Sequence, residues 1–269
     1  MSEIILSSKS SAIIIDNSYY IFNRYYATLR WFKQRQPDII IDHDDIINNK
    51  EFIVAFIKHF ETDMTKLVKK FKTVKTNIIF CADCPRSLIW RNEIYDKYKQ
   101  SRIKKANFNS NIFELFENYL KANNFKCCNF DNLEGDDVVY LLQKSIKTKM
   151  NVVIITNDSD YLQMYCTGIK IYNMQFKDLS LRINYNPKVE LLFKIIFGDK
   201  SDNIPKIQQG LQKAAAMKIA LMTDEERFIY LTKNNIVNNF NLNKKLIDFT
   251  EIPEIIVERF YEYYNIIIQ

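Results

Sequence analysis

The chain has 269 residues, 47% of them hydrophobic, with 38 Lys and Arg against 32 Asp and Glu for a net charge of +6. That apolar share is ample for a core, and four Gly with five Pro argue against long disordered linkers, so one large α/β domain with a helical appendage, or two domains, is expected. No stretch approaches the roughly 18 apolar residues of a membrane span. Residues 1–11 also lack the basic start and apolar run of a secretory leader, which predicts a soluble, intracellular protein: cytoplasmic, or within the host cell for a phage or virus. Five cysteines, an odd number without framework spacing, fit a reducing compartment. Cys81 and Cys84 form a CxxC without a second pair, and Cys127 and Cys128 are adjacent, so zinc is not expected.

Ala12 to Ile15 reads as a short strand ending in Asp16, and Ser18 can cap a helix whose face carries Ile21, Arg24, Tyr25, Leu29 and Phe32. After a polar loop from Gln36 to Asn48, Phe52, Phe56, Phe60, Met64, Leu67 and Phe71 mark a long helix, with Asn48 and Glu51 as its capping box. His59 lies beside that stripe as a packed or solvated side chain. Asn77 to Cys81 is a second strand, followed by Asp83. From Trp90 to Lys105 basic residues alternate with aromatics, a composition suited to gripping a flexible strand through phosphates and stacked bases, or to an exposed amphipathic helix. Asn111 to Ala122 is helical.

Glu134, Asp136 and Asp137 open a helix over Val138 to Ile146, and the strand Val152 to Thr156 releases Asp158 and Asp160. A fourth strand covers Ile169 to Tyr172. Helices follow from Asn186-Pro187, broken at a turn from Phe197 to Pro205 that carries Asp199 and Asp202, and resumed over Leu211 to Leu221. Thr223 with Glu226 caps another helix, and Ile236 to Phe249 and Pro253 to Asn265 close the chain as helices. There is no internal repeat.

Acids at a helix start can simply cap it and complement its dipole. Here three strands each release an aspartate at the same end, and strands alternating with helices imply a mainly parallel sheet, so the carboxylates converge on one edge. A divalent cation is the usual occupant of such a cluster. With those acids withdrawn to one pit the rest of the molecule is strongly basic, which suits a phosphate-backbone ligand; a lysine-rich solvated surface is the plainer alternative.

These residues resemble the structure-specific 5′-nuclease family of flap endonucleases and 5′→3′ exonucleases, nearly end to end. The motifs are Ile13-Ile-Ile-Asp16 with Arg24; Asp83 with Arg91, Tyr98-Lys99 and Arg102; Glu134-Gly-Asp-Asp137; Thr156-Asn-Asp-Ser-Asp160; and Gly198-Asp-Lys-Ser-Asp-Asn203. Trp90-Arg91, the short length and the tail Leu246 to Pro253 are most similar to the bacteriophage RNase H branch, which removes RNA primers.

The resemblance implies an α/β nuclease core over residues 1–184, with an arch segment at about 86–110. It implies a helical duplex-binding region over 185–269, with a helix–three-turn–helix element from Asp199 to Ala216. It implies two Mg²⁺, replaceable by Mn²⁺. Asp16, Asp83, Glu134, Asp136 and Asp137 would build the tighter site, Asp158 and Asp160 would serve both, and Asp199 and Asp202 would hold the second. Lys99 and Arg91 would be catalytic, and Arg24, Arg102, Lys104, Lys105, Lys206, Lys213 and Lys218 would bind DNA.

The implied substrate is nicked or branched duplex DNA with a 5′ end or flap, or an RNA–DNA primer junction, in replication or repair. The family hairpin's Gly-x-Gly beside a potassium ion is reduced here to Gly210, which argues against that ion. The end of the chain shows no clear motif for a sliding clamp or single-strand-binding protein. A PIN-like ribonuclease is opposed by the Asp199/Asp202 pair, and a non-catalytic scaffold by the full carboxylate set.

Overall fold

The computed structural model describes residues 2–37, 42–102 and 107–269. The chain begins with β1 (Ser2–Leu6), β2 (Ala12–Asp16), α1 (Asn17–Arg35), α2 (Lys50–Phe71), β3 (Ile78–Cys81) and a single helical turn, α3 (Arg91–Ile94). It continues with α4 (Ile112–Ala122), β4 (Lys126–Cys128), α5 (Gly135–Ile146), β5 (Val152–Ile155) and β6 (Ile169–Tyr172). Then come α6 (Pro187–Phe197), α7 (Lys213–Ala220), α8 (Asp224–Lys233), α9 (Val237–Ile247), α10 (Glu254–Tyr263) and β7 (Tyr264–Ile268).

Five strands form one parallel sheet in the order β4-β3-β2-β5-β6. Because side chains alternate along a strand, each strand feeds both faces. Ile13, Ile15, Ile78, Phe80, Val153 and Ile155 join the core made with α1, α2 and α4. Ala12, Ile14, Ile79, Cys81, Val152 and Ile154 join the one made with α5 and α10. On the first face Tyr20, Phe60, Phe80 and Phe116 meet mostly edge to face, with Phe60 and Phe116 centroids 5.1 Å apart. A fully buried ring of this kind contributes about 1.5–3 kcal/mol, so this cluster does most to pin the three helices to the sheet.

The chain runs from β2 through β3 to β4 on one side, and β5 crosses to the other side of β2. The strand order therefore reverses at β2, and the crevice above its C-terminal end is where an open sheet of this kind binds ligands. Asp16 ends β2 there.

Helices α6 to α9 share a core of their own, including Ile196, Ile207, Leu211, Ile219, Leu231 and Ile236. A bridging cluster of Cys84, Ile89, Tyr98, Ile195, Ile204 and Leu246 ties it to the segment after β3. Phe249, Ile252, Ile256, Phe260 and Tyr264 return to the sheet's α5 face.

Several expectations need correction. Asp16, not Ser18, caps α1, accepting from Tyr19 N at 2.9 Å, because the Ser18 hydroxyl is spent on Asp83. Asn49, not Asn48, caps α2. Residues 90–102 form one helical turn and then successive turns, not an amphipathic helix. The end of the chain leaves the helix for β7, which pairs in parallel with β1 from Ser2↔Tyr264 to Leu6↔Ile268. Strands β1, β4 and β7 were not expected from the sequence.

Candidate active site

The crevice above β2 collects the acidic residues from five separate segments. Asp16 accepts from Tyr19 N through one oxygen and from Thr156 Oγ1 at 2.9 Å through the other. Asp83, just past β3, accepts from Ser18 Oγ and from Gly135 N, each at 2.7 Å. A Cβ on Gly135 would come within 3.2 Å of both Asp83 Oδ1 and the Cys81 carbonyl, so a side chain there would push the start of α5 away from β3. Asp158 follows β5 and accepts from Asp160 N at 2.9 Å.

Asp199 and Asp202 come from the loop after α6, which closes on itself through Asp199 N to Ile204 O at 2.9 Å and its reciprocal at 2.8 Å. Gly198 makes this closure possible. Its φ is +75°, and a Cβ would meet the Ile204 and Pro205 carbonyls at 2.5 Å.

Two carboxylate groups result, Glu134 with Asp136 and Asp137, and Asp160 with Asp199 and Asp202. Within each, one oxygen per residue lies within 4.8 Å of the others. An all-oxygen donor set of this charge suits a hard divalent cation. Ammonium groups stand where such cations would be required. Lys99 pairs with Glu134 and lies 3.6 Å from Asp202, so it links the two groups, while Lys194 pairs with Asp160 and with Asp199 at 2.7 Å. Arg102 pairs with Asp202.

Lys99 is 8% exposed and has φ of +54°, an uncommon backbone angle for a residue with a Cβ. Its N–H bonds the Asp202 carbonyl at 3.0 Å and its own carbonyl accepts from Arg86, which holds that conformation in place.

Asp137 shares the pit but differs in its bonding. Arg91 donates to both its oxygens at 2.7 Å, Trp90 Nε1 donates at 3.1 Å and Glu134 N at 3.2 Å. Three of these bonds fall on Oδ2 and one on Oδ1, and with no exposure Asp137 seats Arg91 and starts α5. Arg91 is itself 1% exposed, bonds Glu134 at 3.0 Å and reaches the Leu246 carbonyl at the end of α9 at 2.9 Å. Arg91, which the resemblance places among the catalytic residues, is thus buried between the pit and the helical region and braces the two.

Burial, and secondarily Asp83, pushes the Asp16 carboxyl up to about 6. Asp160 is also pushed up to about 6, since burial and Asp158 outweigh Lys194. Asp136 rises well above its ordinary value through burial and the neighbouring Asp137 and Glu134. Asp199 goes the other way: burial opposes it, but Lys194 and Ser201 together hold it down to about 2. Burial likewise opposes the charge on Lys99, and Glu134, Asp136 and Asp202 outweigh it, so its pKa is raised.

The remaining expected residues are dispersed. Arg24 faces the helix core and pairs with Asp63, which also accepts from Tyr20. Lys213 and Lys218 are exposed on α7; Lys206, also exposed, donates to the Leu211 carbonyl at 2.7 Å and lies over the Phe197 ring. Lys104 and Lys105 lie outside the described residues. Sequence reasoning missed Lys194 and gave no site role to Thr156, to Ser18 or to Tyr98, whose hydroxyl donates to Glu134 at 2.8 Å. Lys194 had a signal: it is the only charge in the apolar run Leu191 to Phe197, and a lone buried lysine requires an acid.

Residues 11–190 match the family profile described as the 5'-3' exonuclease, N-terminal resolvase-like domain. A 5'-3' exonuclease of Mycoplasmopsis pulmonis is 25% identical over 257 residues, spanning 93% of this chain and 73% of the relative. A ribonuclease H of Enterobacteria phage T4 is 26% identical over 238 residues, 79% of this chain and 78% of the relative. Among solved structures, the bacteriophage T5 flap endonuclease, in a pseudo-enzyme–product complex with DNA and metal ions, superposes with a TM-score of 0.62. The two share 15% identity, and the match covers 94% of this chain and 97% of that one.

Proposed function

The chain belongs to the family of the 5'-3' exonuclease N-terminal resolvase-like domain, and from that premise we propose that it is a metal-dependent 5′→3′ exonuclease and flap endonuclease. Its substrates are 5′ ends, flaps or RNA primers on duplex DNA during replication or repair. The observation that carries this reading is the pair of all-oxygen carboxylate groups at the sheet's switch point, already bridged by Lys99.

In this reading Asp16, Asp83, Glu134 and Asp136 hold one Mg²⁺ and Asp199 and Asp202 a second, with Asp158 and Asp160 between them. Asp137, in the same carboxylate group, would add a fifth ligand to the first site, with Arg91 seated on it. Bound there, the ions supply a water made nucleophilic near neutral pH and stabilisation for the leaving oxyanion; Mn²⁺ has the same ligand preference.

The chain's own residues position the strand. Lys99 exchanges its carboxylate partners for the scissile phosphate, where one local charge acts more strongly than diffuse basic surface. Arg102, whose side chain is 51% exposed, reaches the phosphate next to it. Lys206, Lys213 and Lys218 present an exposed basic face to the duplex backbone, while buried Arg91 fixes α9 against the pit.

Cleavage of a 5′-labelled flap duplex with Mg²⁺ and with chelator tests this proposal. Asp158→Asn should abolish cleavage while duplex binding stays within a few-fold, since the basic surface is untouched. Near-normal turnover of the variant in Mg²⁺ would refute the two-ion assignment.

A further inference from the structure

Lys194 projects from α6, whose neighbouring Ile195 and Ile196 are 1% and 0% exposed and fix the helix backbone. Its side chain is 23% exposed, and those of Asp160 and Asp199 are 19% and 16%, so solvent screens their attraction only in part. The ammonium therefore takes a place that the second divalent ion needs. Asp202, the third acid of that group, also meets cations in Arg102 and Lys99.

The first group is arranged differently. Its Glu134 and Asp137 pair with Arg91, and Glu134 with Lys99, but among the described residues Asp16, Asp83 and Asp136 form no ion pair, and their bonds come from neutral donors: Tyr19, Thr156, Ser18, Gly135 and Asp137 backbone or hydroxyl groups. In the first pocket Asp16, Asp83 and Asp136 are without ion pairs among the described residues, whereas Asp160, Asp199 and Asp202 in the second are all paired, Asp160 and Asp199 with a single ammonium on a four-carbon tether.

We propose that Lys194 is a tethered counter-cation of the second metal pocket, so that an ion entering between Asp160 and Asp199 must first displace it. The two pockets then fill in sequence, and Lys194 sets the gap between their affinities. This rests on the two-ion reading above. A cavity of about 370 Å³, lined by Arg102, Asp158, Asp160, Lys194, Asp199 and Asp202, gives the displaced side chain room to swing without moving α6.

The test is a Mn²⁺ titration of the full, DNA-free chain at fixed ionic strength, read by calorimetry and by the resonance signal of free Mn²⁺. The wild type should bind one ion tightly and a second weakly. In Lys194→Met the second affinity should tighten about tenfold or more, the scale of one partly screened charge contact. The first should stay unchanged. Lys194→Gln should behave alike, and unfolding midpoints establish that both variants fold.

Lys188→Met is the control for diffuse charge, because Lys188 lies on the same helix and pairs only at the surface with Asp224. A second affinity that is unchanged or weaker in both Lys194 variants overturns the proposal, as does equal tightening in Lys188→Met. A wild type and variants that all bind a single ion, with or without flap DNA, would overturn the two-ion reading and this inference with it. A normal second site indifferent to Lys194 would overturn this inference alone.

Discussion

Replacing Asp16 with Asn should make the metal-free protein more stable at pH 8, although it removes a residue assigned to the active site. Burial and the neighbouring Asp83 push this carboxyl from 3.8 up to about 6, so folding at pH 8 forces an anion into a place that disfavours it. That displacement corresponds to at most about 3 kcal/mol. Asparagine keeps the cap on Tyr19 N and can still bond Thr156, so the net gain should be about 1–2 kcal/mol.

The sign follows from proton counting. A carboxyl whose folded pKa is raised binds more protons folded than unfolded between about 4 and 6, so wild-type stability rises as pH falls through 6. Asp160 acts in the same direction. Asp199, held down to about 2, acts oppositely: its contribution is present above about 4 and is lost as pH falls toward 2. Burial lowers the pKa of His59, but that residue is common to both proteins and cancels in their difference.

Denaturant unfolding in chelator should therefore show Asp16→Asn ahead at pH 8, with the lead closing by about pH 5. Saturating Mg²⁺ should reverse the order, because the ion stabilises the wild type by its binding free energy and the variant less. A variant that is weaker at pH 8 in chelator, by the same amount at pH 5, would refute the claim that the Asp16 charge is held against its preference.

Two other measurements bear on the basic residues. Lys99→Ala should slow cleavage by about a hundredfold or more while barely changing affinity, the pattern for one lost transition-state contact; an effect on affinity alone would make Lys99 a binding residue. At fixed ionic strength, exchanging K⁺ for Na⁺ should leave duplex affinity nearly unchanged, since the Lys206 ammonium already bonds the Leu211 carbonyl in the hairpin; binding several-fold tighter in K⁺ would show that an ion site survives.

The parts of the fold legible in the sequence are those set by local pattern. β2, β3 and β5 are short apolar runs, β6 alternates buried Ile169 and Ile171 with exposed Lys170, and α2 and α4 carry their core residues at helical spacing, so each declares itself locally. What stayed hidden depends on partners far along the chain. Tyr264 and Asn265 read in the sequence as the end of the last helix, and Tyr264–Ile268 is a strand because β1 lies alongside to complete its hydrogen bonds. β4 has three residues, too few to show any period.

The acids of the site were legible for a physical reason: a carboxylate just past a buried strand has few structural uses, and several at one edge have fewer. Their counter-cations were harder to read, because outside an apolar run such as that around Lys194 a lysine or arginine reads alike whether it faces solvent or a carboxylate. Arg91 lies in a segment whose composition suits gripping a strand and is buried under Trp90 and bonded to Asp137, while Lys194, which carried no sequence expectation, pairs with Asp160 and Asp199. The distinction is set by what lies opposite in space. The same pairs offset part of the repulsion among carboxylates this close. In the two-ion reading the charges that offset this repulsion are also the ones a metal or a phosphate would displace, which would couple the energetics of this fold directly to its chemistry.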